Sequence, residues 1–315
     1  MLGLGNTLSG GVVPAVDAYA DAFTFTVDTT ASGSASDTFV LPLVDDGEID
    51  INVDWGDDST SSIDAYDHAE ITHVYGAEGT YTIKMAGTIR GWSFNGGGDV
   101  FKMRVISQWG DMNFTQNSAF EECRYMTCTA TDAPAINTAS FSQMFYNCQN
   151  LADFGGAAGS WDMSGVTGLF QAFKRAYAFT GANISGWDVG EVTSFYDAFE
   201  RVDAFNPPNI GNWDVSKGNT FSSAFKSTTG NGTFDQDISA WDIGAVVSFD
   251  GFLQGQTLST ANYDAILIAW EGKPHQNSVN AHFGSSKYTD GGAAAAARTT
   301  LVDTDSWTIT DGGTA

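Results

Sequence analysis

The sequence predicts a mainly β protein with short helices, in which an N-terminal β-sandwich precedes a solenoid of about six repeats and a C-terminal cap. Three observations support this prediction. A Trp-Asp phrase recurs in the second half, short runs near the N-terminus alternate apolar and polar residues, and 36 glycines suit tight turns. A fixed period indicates a solenoid because each unit buries its apolar face only against its neighbours.

Four segments follow from these patterns. We assign residues 1–22 to an N-terminal arm, 23–95 to the sandwich, 96–256 to the solenoid and 257–315 to the cap. The arm lacks the features of a secretory signal, and no apolar run in the chain approaches the roughly 18 residues that span a bilayer. We therefore expect no membrane insertion. The apolar residues expected to anchor the arm to a partner are Leu2, Leu4, Leu8, Val12 and Val13.

The sandwich is predicted from five runs in which apolar and polar residues alternate between Gly, Asp and Ser turns. These runs are 23–29, 37–43, 48–55, 69–75 and 79–86. We expect Trp55, Tyr75 and Tyr81 to lie in the core, and Asp54 and Asp57 to form turns.

The repeats begin with Trp161-Asp162, Trp187-Asp188, Trp213-Asp214 and Trp241-Asp242, at intervals of 26, 26 and 28 residues. Counting from each Trp, apolar side chains lie at +8 and +12, a spacing of four that predicts a helical turn. Each unit is therefore expected to contain a short strand, a turn, a short helix and a return loop. Worn units around Trp109 and Phe141 bring the number to about six.

An aromatic core is expected inside the repeats, with Trp187 and Trp213 stacked on one another. The predicted core residues are Trp161, Trp187, Trp213, Trp241, Phe173, Phe199 and Phe225. The Asp after each Trp is expected to accept backbone N–H groups from the following turn, as short carboxylates do. A cation-binding groove along these Asp residues is the alternative.

The cap is predicted from a helix that begins after Ser259 and ends at Gly272, because Ser is a favourable N-cap and Gly a common terminator. Apolar residues recur at helical spacing between them, at Tyr263, Ile266, Leu267 and Trp270. A second helix is expected near Ala293, and a final strand at 307–309.

Three features resemble the BspA-like leucine-rich repeats of bacterial and phage surface proteins. They are the Trp-Asp repeat phrase, the Phe-x-x-Cys motifs at Phe120–Cys123 and Phe145–Cys148, and the closing segment from Ser259 to Gly313. The resemblance covers about residues 96–315 and implies a leucine-rich-repeat-like solenoid used for attachment. Residues 53–59 and 72–82 resemble PKD-type immunoglobulin-like domains, which are mostly spacers. The phrase MLGLG at the N-terminus is similar to virion proteins of marine tailed phages.

Charge limits the partners. The chain has 13 Lys and Arg against 38 Asp and Glu, a net charge of −25, which disfavours nucleic acid. The 3 Cys form no zinc or redox pattern, and we expect Cys123 and Cys148 to be buried free thiols. No cofactor is predicted, although Ca²⁺ at the acidic stretch 45–50 is the alternative.

Three functions compete, and a structural protein of a phage virion is preferred. In this hypothesis the protein is a fibre or decoration protein, assembled in the host cytoplasm, held by its arm to other virion proteins and homo-oligomeric in the assembly. Its acidic solenoid attaches to a host receptor or glycan. A bacterial cell-surface adhesin or glycan-binding protein is the alternative. A polysaccharide-acting enzyme is the third, and we expect no catalytic residues because the sequence shows no catalytic motif.

Overall fold

The computed structural model describes residues 17–230 and 232–315, so the arm residues Leu2, Leu4, Leu8, Val12 and Val13 lie outside the described residues. The described chain is mainly β with two α-helices. The strands are β1 (Phe23–Asp28), β2 (Thr38–Val40), β3 (Asp50–Asp54), β4 (Thr60–Ile63), β5 (Thr72–Val74), β6 (Thr80–Thr88), β7 (Met103–Gln108), β8 (Asn113–Phe114), β9 (Thr127–Cys128), β10 (Ala135–Ile136), β11 (Asn280–His282) and β12 (Thr308–Thr310). The helices are α1 (Thr260–Glu271) and α2 (Ala293–Asp303).

A six-stranded sheet organises the N-terminal half, with the strand order β4-β3-β6-β1-β7-β9. Strand β1 alternates buried and half-buried residues, as expected for a strand with one face on a core. It pairs antiparallel with β6 and β7, and the small β2-β5 sheet packs on it through Phe39, whose ring centroid is 6.0 Å from that of Phe25. The five predicted runs agree with β1, β2, β3, β5 and β6 to within a few residues.

The sheet also changes from antiparallel to parallel pairing. Strand β7 pairs antiparallel with β1 but in parallel with β9, where Val105 lies opposite Thr127. Strands β8 and β10 are parallel as well. The predicted domain boundary at 95/96 therefore lies before β7 and β9, which complete the N-terminal sheet. One cluster of buried apolar residues includes residues on both sides of this boundary.

Beyond β10 the chain forms stacked units joined by parallel β-bridges. We call the row of bridged residues the bridge ladder: it runs through Ser140, Gly168, Ser194, Thr220 and Ser248. Backbone hydrogen bonds such as Phe173 N to Ala198 O and Phe199 N to Ala224 O, both 2.8 Å, reinforce it. Each unit therefore satisfies the backbone of its neighbour.

The short helix predicted in each repeat is wrong. The segments that follow the bridges are turns, and α1 and α2 are the only α-helices in the described chain. Gln171, Asp197 and Ser223 have φ values of 53°, 54° and 55°, which a right-handed helix does not allow. The N–H groups of Gln171 and Asp197 donate to Tyr196 O and Ser222 O in the next unit. Bonds between units thus replace the bonds of a helix.

The C-terminal segment covers the last unit. Helix α1 begins after Ser259, whose hydroxyl accepts from Asn262 N at 3.4 Å, and it buries Tyr263, Ile266, Leu267 and Trp270. Strands β11 and β12 pair in parallel, and a bridge from Phe249 to Ala281 continues the stack. Neither α1 nor α2, the two α-helices of the described residues, has the length and apolar composition needed to cross a membrane.

Candidate functional site

The residues predicted as the repeat core lie inside the stacked units. Relative exposure is between 0 and 4 % for Trp161, Trp187, Trp213, Trp241, Phe173, Phe199 and Phe225. The phenylalanine rings form a continuous column: Phe173 stacks on Phe199 with centroids 5.2 Å apart, and Phe199 stacks on Phe225 at 5.6 Å. These aromatic residues hold the units together and contribute no exposed row.

Hydrogen bonds from two of the indoles tie their units to the preceding one. Trp213 Nε1 donates to Ile184 O at 3.3 Å, and Trp241 Nε1 donates to Ile210 O at 3.1 Å. The expected stack of Trp187 on Trp213 is wrong. Trp187 stacks on Trp161 with centroids 5.9 Å apart, whereas Trp213 stacks on Phe195 at 6.3 Å.

The carboxylates after the tryptophans form turns, as predicted. Each Oδ1 accepts the N–H two residues later, at 2.9–3.1 Å, in Asp162, Asp188, Asp214 and Asp242. Hydrogen bonds from Ser164 and Ser216 lower the pKa values of Asp162 and Asp214. Among the described residues, no group of three or more His, Cys, Asp or Glu side chains is placed to hold a metal ion.

The acidic stretch 45–50, considered above for Ca²⁺, contains Asp46, which lies 3.8 Å from the Arg90 guanidinium. The same arginine donates through Nε to the Asp46 carbonyl at 2.9 Å. The Arg90 guanidinium therefore lies beside the Asp46 carboxylate, where a bound Ca²⁺ ion would have to lie.

Histidine and cysteine side chains have structural partners. His73 stacks on Trp55 with centroids 4.5 Å apart and contacts Asp57 Oδ2 at 2.9 Å, while His275 contacts Asp305 at 3.2 Å. Cys123 and Cys148 are buried free thiols, and burial raises both pKa values well above the ordinary value. A thiol with a raised pKa forms little thiolate and is a poor nucleophile.

A surface cavity that the sequence did not predict lies between the N-terminal sheet and the first units. Its volume is about 530 Å³. We call it the arginine–aromatic cavity, and its lining is Thr30, Ala31, Ser32, Phe101, Arg104, Arg124 and Tyr125. It was missed because three distant chain segments meet there.

Four side chains of this cavity form two cation–π pairs, each between one arginine and one aromatic residue. Arg104 Cζ lies 5.3 Å from the Tyr125 ring centroid, and Arg124 Cζ lies 5.2 Å from that of Phe101. The two rings are 6.2 Å apart and inclined at 59°. Tyr125 is 51 % exposed. Two cationic groups and two aromatic rings therefore border the same open space.

Two further pairs of this type occur along the stacked units. Arg175 lies 5.9 Å from the Tyr146 ring, and Arg201 lies 5.7 Å from the Tyr177 ring. Arg175 and Arg201 are 26 residues apart, the interval of the tryptophans. That spacing is the sequence signal that could have revealed a regular row of cations on a chain of net charge −25.

Part of the stacked region resembles a known family. Residues 139–266 match the sequence profile of a family described as Mycoplasma protein of unknown function, DUF285. This family is related to BspA-like surface repeat proteins. The matched residues include the bridge ladder and the first half of α1. No curated protein and no solved structure matches the chain.

Proposed function

We propose that the protein is an attachment protein whose repeats form a BspA-like, leucine-rich-repeat-like solenoid. The observation that carries the proposal is the bridge ladder, in which five successive units align Ser140, Gly168, Ser194, Thr220 and Ser248. Parallel strands lie about 4.8 Å apart, so such a stack extends the surface in one direction without enclosing a pocket. An extended surface of this kind suits contact with another large surface.

The N-terminal region supplies the spacer in this proposal. In this proposal residues 23–95 act as a PKD-like domain, and β7 and β9, which follow residue 95, belong to the same sheet as β1. A shared sheet favours display of the solenoid at a fixed distance from an anchoring point. The acidic surface disfavours nucleic acid as the partner.

The proposed setting is a phage virion, with the apolar residues of the arm in contact with other virion proteins and the protein homo-oligomeric in the assembly. We support this with the resemblance of the N-terminus to phage virion proteins. A bacterial cell surface is the alternative setting, favoured by the match of residues 139–266 to a family related to surface repeat proteins. In both settings the repeats perform the same task, which is binding to an outer surface.

Two experiments test the proposal. Antibodies against the purified chain should label phage particles in electron micrographs, whereas labelling of bacterial surfaces alone would favour the adhesin. Deletion of residues 2–16 should leave the melting temperature unchanged and abolish incorporation into particles. The matched control is Ile268→Ala, an exposed position on α1, which should incorporate normally. A deletion variant that incorporates at the level of the intact chain would refute the anchoring role.

Attachment itself is tested with fluorescently labelled protein on intact host cells. Saturable binding that unlabelled protein displaces would support attachment. Binding no stronger than that of an unrelated protein of equal size and charge would refute it.

A further inference from the structure

The hydrogen bonds of the arginine–aromatic cavity leave selected polar atoms unused. Arg104 donates to Phe101 O, Met103 O and Asp28 Oδ2, so its terminal nitrogens are engaged. Arg124 donates to Glu122 Oε2 through Nε and Nη2, at 2.8 and 2.6 Å. Arg124 Nη1 has no hydrogen-bond partner among the residues that the structure describes.

Hydroxyl groups near this nitrogen are also unpaired. Within residues 17–230 and 232–315, Ser32 Oγ and Tyr125 Oη make no hydrogen bond with the protein, while Thr30 Oγ1 is bonded to Asp28 Oδ1 at 2.6 Å. The Arg124 side chain is 40 % exposed, so its free edge is accessible. The cavity therefore offers one cationic donor, two hydroxyls and the exposed Tyr125 ring, one face of which Arg104 covers.

We propose that this cavity binds a carboxylated sugar residue, such as a uronic or sialic acid, at the surface to which the protein attaches. A guanidinium pairs with a carboxylate through charge-assisted hydrogen bonds. The C–H face of a pyranose ring carries partial positive charge and stacks on the negative face of an aromatic ring, here the face of the exposed Tyr125 ring that Arg104 does not cover. Ser32 and Tyr125 then bond the sugar hydroxyls. A volume of about 530 Å³ falls within the range of small-molecule sites.

The charge of the whole chain restricts the ligand further. A net charge of −25 repels polyanions, such as nucleic acids and heavily sulfated glycans. Asp28 and Glu122 beside the two arginines add to that repulsion. A ligand with a single carboxylate can form an ion pair with Arg124 Nη1 and is repelled least by the negative charge of the rest of the protein. The cavity is therefore suited to an isolated acidic sugar.

Titration calorimetry on the full chain tests this ligand class with two acidic probes and their neutral counterparts. The probes are 3′-sialyllactose against lactose, and methyl galacturonide against methyl galactoside, so that each acidic probe carries one carboxylate. At least one acidic probe should bind saturably and at least about tenfold more tightly than its neutral counterpart, a difference of ~1.4 kcal/mol. The proposal fails if neither acidic probe binds, if the neutral probes bind equally well, or if a heparin tetrasaccharide binds more tightly.

Variants locate the binding. Arg124→Gln and Tyr125→Ala should each weaken binding of the acidic probe at least about tenfold. Arg201→Gln is the matched control, because it removes the same charge and a similar cation–π pair outside the cavity. Equal weakening by Arg201→Gln, or full binding by both cavity variants, would overturn the assignment. Melting temperatures of the variants confirm that each one is folded.

This inference rests on the proposed attachment function for its setting, yet the two fail separately. Sugar binding by a protein that attaches to no cell would overturn attachment and leave the ligand class in place. Cell attachment that both cavity variants retain, with no sugar binding, would overturn the cavity's role alone.

Discussion

Trp270 Nε1 donates a hydrogen bond to Ile238 O at 3.3 Å, although Trp270 lies on helix α1 and not in a repeat. The bond copies the one from Trp241 to Ile210 at 3.1 Å. Helix α1 thus presents to the last unit the same indole donor that a further unit would present. The cap ends the stack by continuing its hydrogen bonding with a different element.

Tryptophans at equivalent repeat positions should contribute unequally to the free energy of unfolding, because only some of their indoles are hydrogen-bonded. Trp213 bonds Ile184 O, whereas Trp161 Nε1 is buried without a partner among the described residues. Trp213→Phe removes one of the two hydrogen bonds that Ile184 O accepts, the other coming from Trp187 N at 3.0 Å, while Trp161→Phe removes an unpaired donor. We expect Trp213→Phe to lower the free energy of unfolding more, by ~0.5–1.5 kcal/mol. Urea denaturation measures both values, and equal losses would contradict the role of the bond.

Truncation of the same residue should cost more. Trp213 is 4 % exposed, so Trp213→Ala removes packing as well as the hydrogen bond. The expected loss is about 3–5 kcal/mol in the free energy of unfolding, the range for large aromatic truncations. Val247→Ala, at a position 61 % exposed, is the control and should change the urea midpoint little. A Trp213→Ala midpoint close to that of Val247→Ala would show that the tryptophan does not hold the units together.

Loss of the cap should act locally before it acts globally. Terminal units of a repeat stack lack a neighbour on one side, so they open first when the cap is weakened. We expect Trp270→Ala to speed amide exchange most around Phe249 and least around Phe145. Ile268→Ala, on the same helix but 45 % exposed, is the control. Hydrogen exchange read by mass spectrometry distinguishes this gradient from a uniform increase, which would contradict the capping role.

The sequence predicted the features that depend on near neighbours. Ser259 as a helix cap and Asp188 as a turn-forming carboxylate each need only a partner two or three residues away. The turn at Gln171 was wrongly predicted as a helix. Its left-handed conformation is stabilised by a hydrogen bond to Tyr196, which lies in another unit. The spacing of apolar residues alone does not reveal such a bond.

Features built from distant segments were missed. The arginine–aromatic cavity combines residues near 30, 101 and 124. A buried ion pair between Lys102 and Asp99 was missed for the same reason, since the polar groups that satisfy it come from the loop around Ser34 and Thr38. No local pattern marks a lysine that is fully buried.

That ion pair yields a further stability prediction. Lys102 Nζ lies 3.6 Å from Asp99 Oδ1 and donates to four oxygens of the segment Ser34–Thr38, while Asp99 accepts from Ser34 N at 2.6 Å and Val40 N at 2.8 Å. Lys102→Met leaves a buried carboxylate without its cation. We expect a loss of ~3–5 kcal/mol in the free energy of unfolding. Lys84→Met, on strand β6 of the same sheet and only half-buried, is the control and should lose much less in the same urea titration.

The last prediction concerns acid and His282 in β11. Burial lowers the pKa of His282 below its ordinary value of 6.5; Asp250 opposes the shift and Lys226 adds to it. The Nδ1 atom accepts from Gly284 N at 3.1 Å, so a proton on Nδ1 breaks that bond.

Because the folded pKa is the lower one, the unfolded chain takes up the proton first as pH falls. The stability that His282 provides is present above pH 6.5 and is lost as pH falls through the folded pKa. Between about pH 7 and about pH 5, the melting temperature of the wild type should fall further than that of His282→Gln. Calorimetry at the two pH values measures the difference, and parallel declines would show that His282 does not couple the cap to pH.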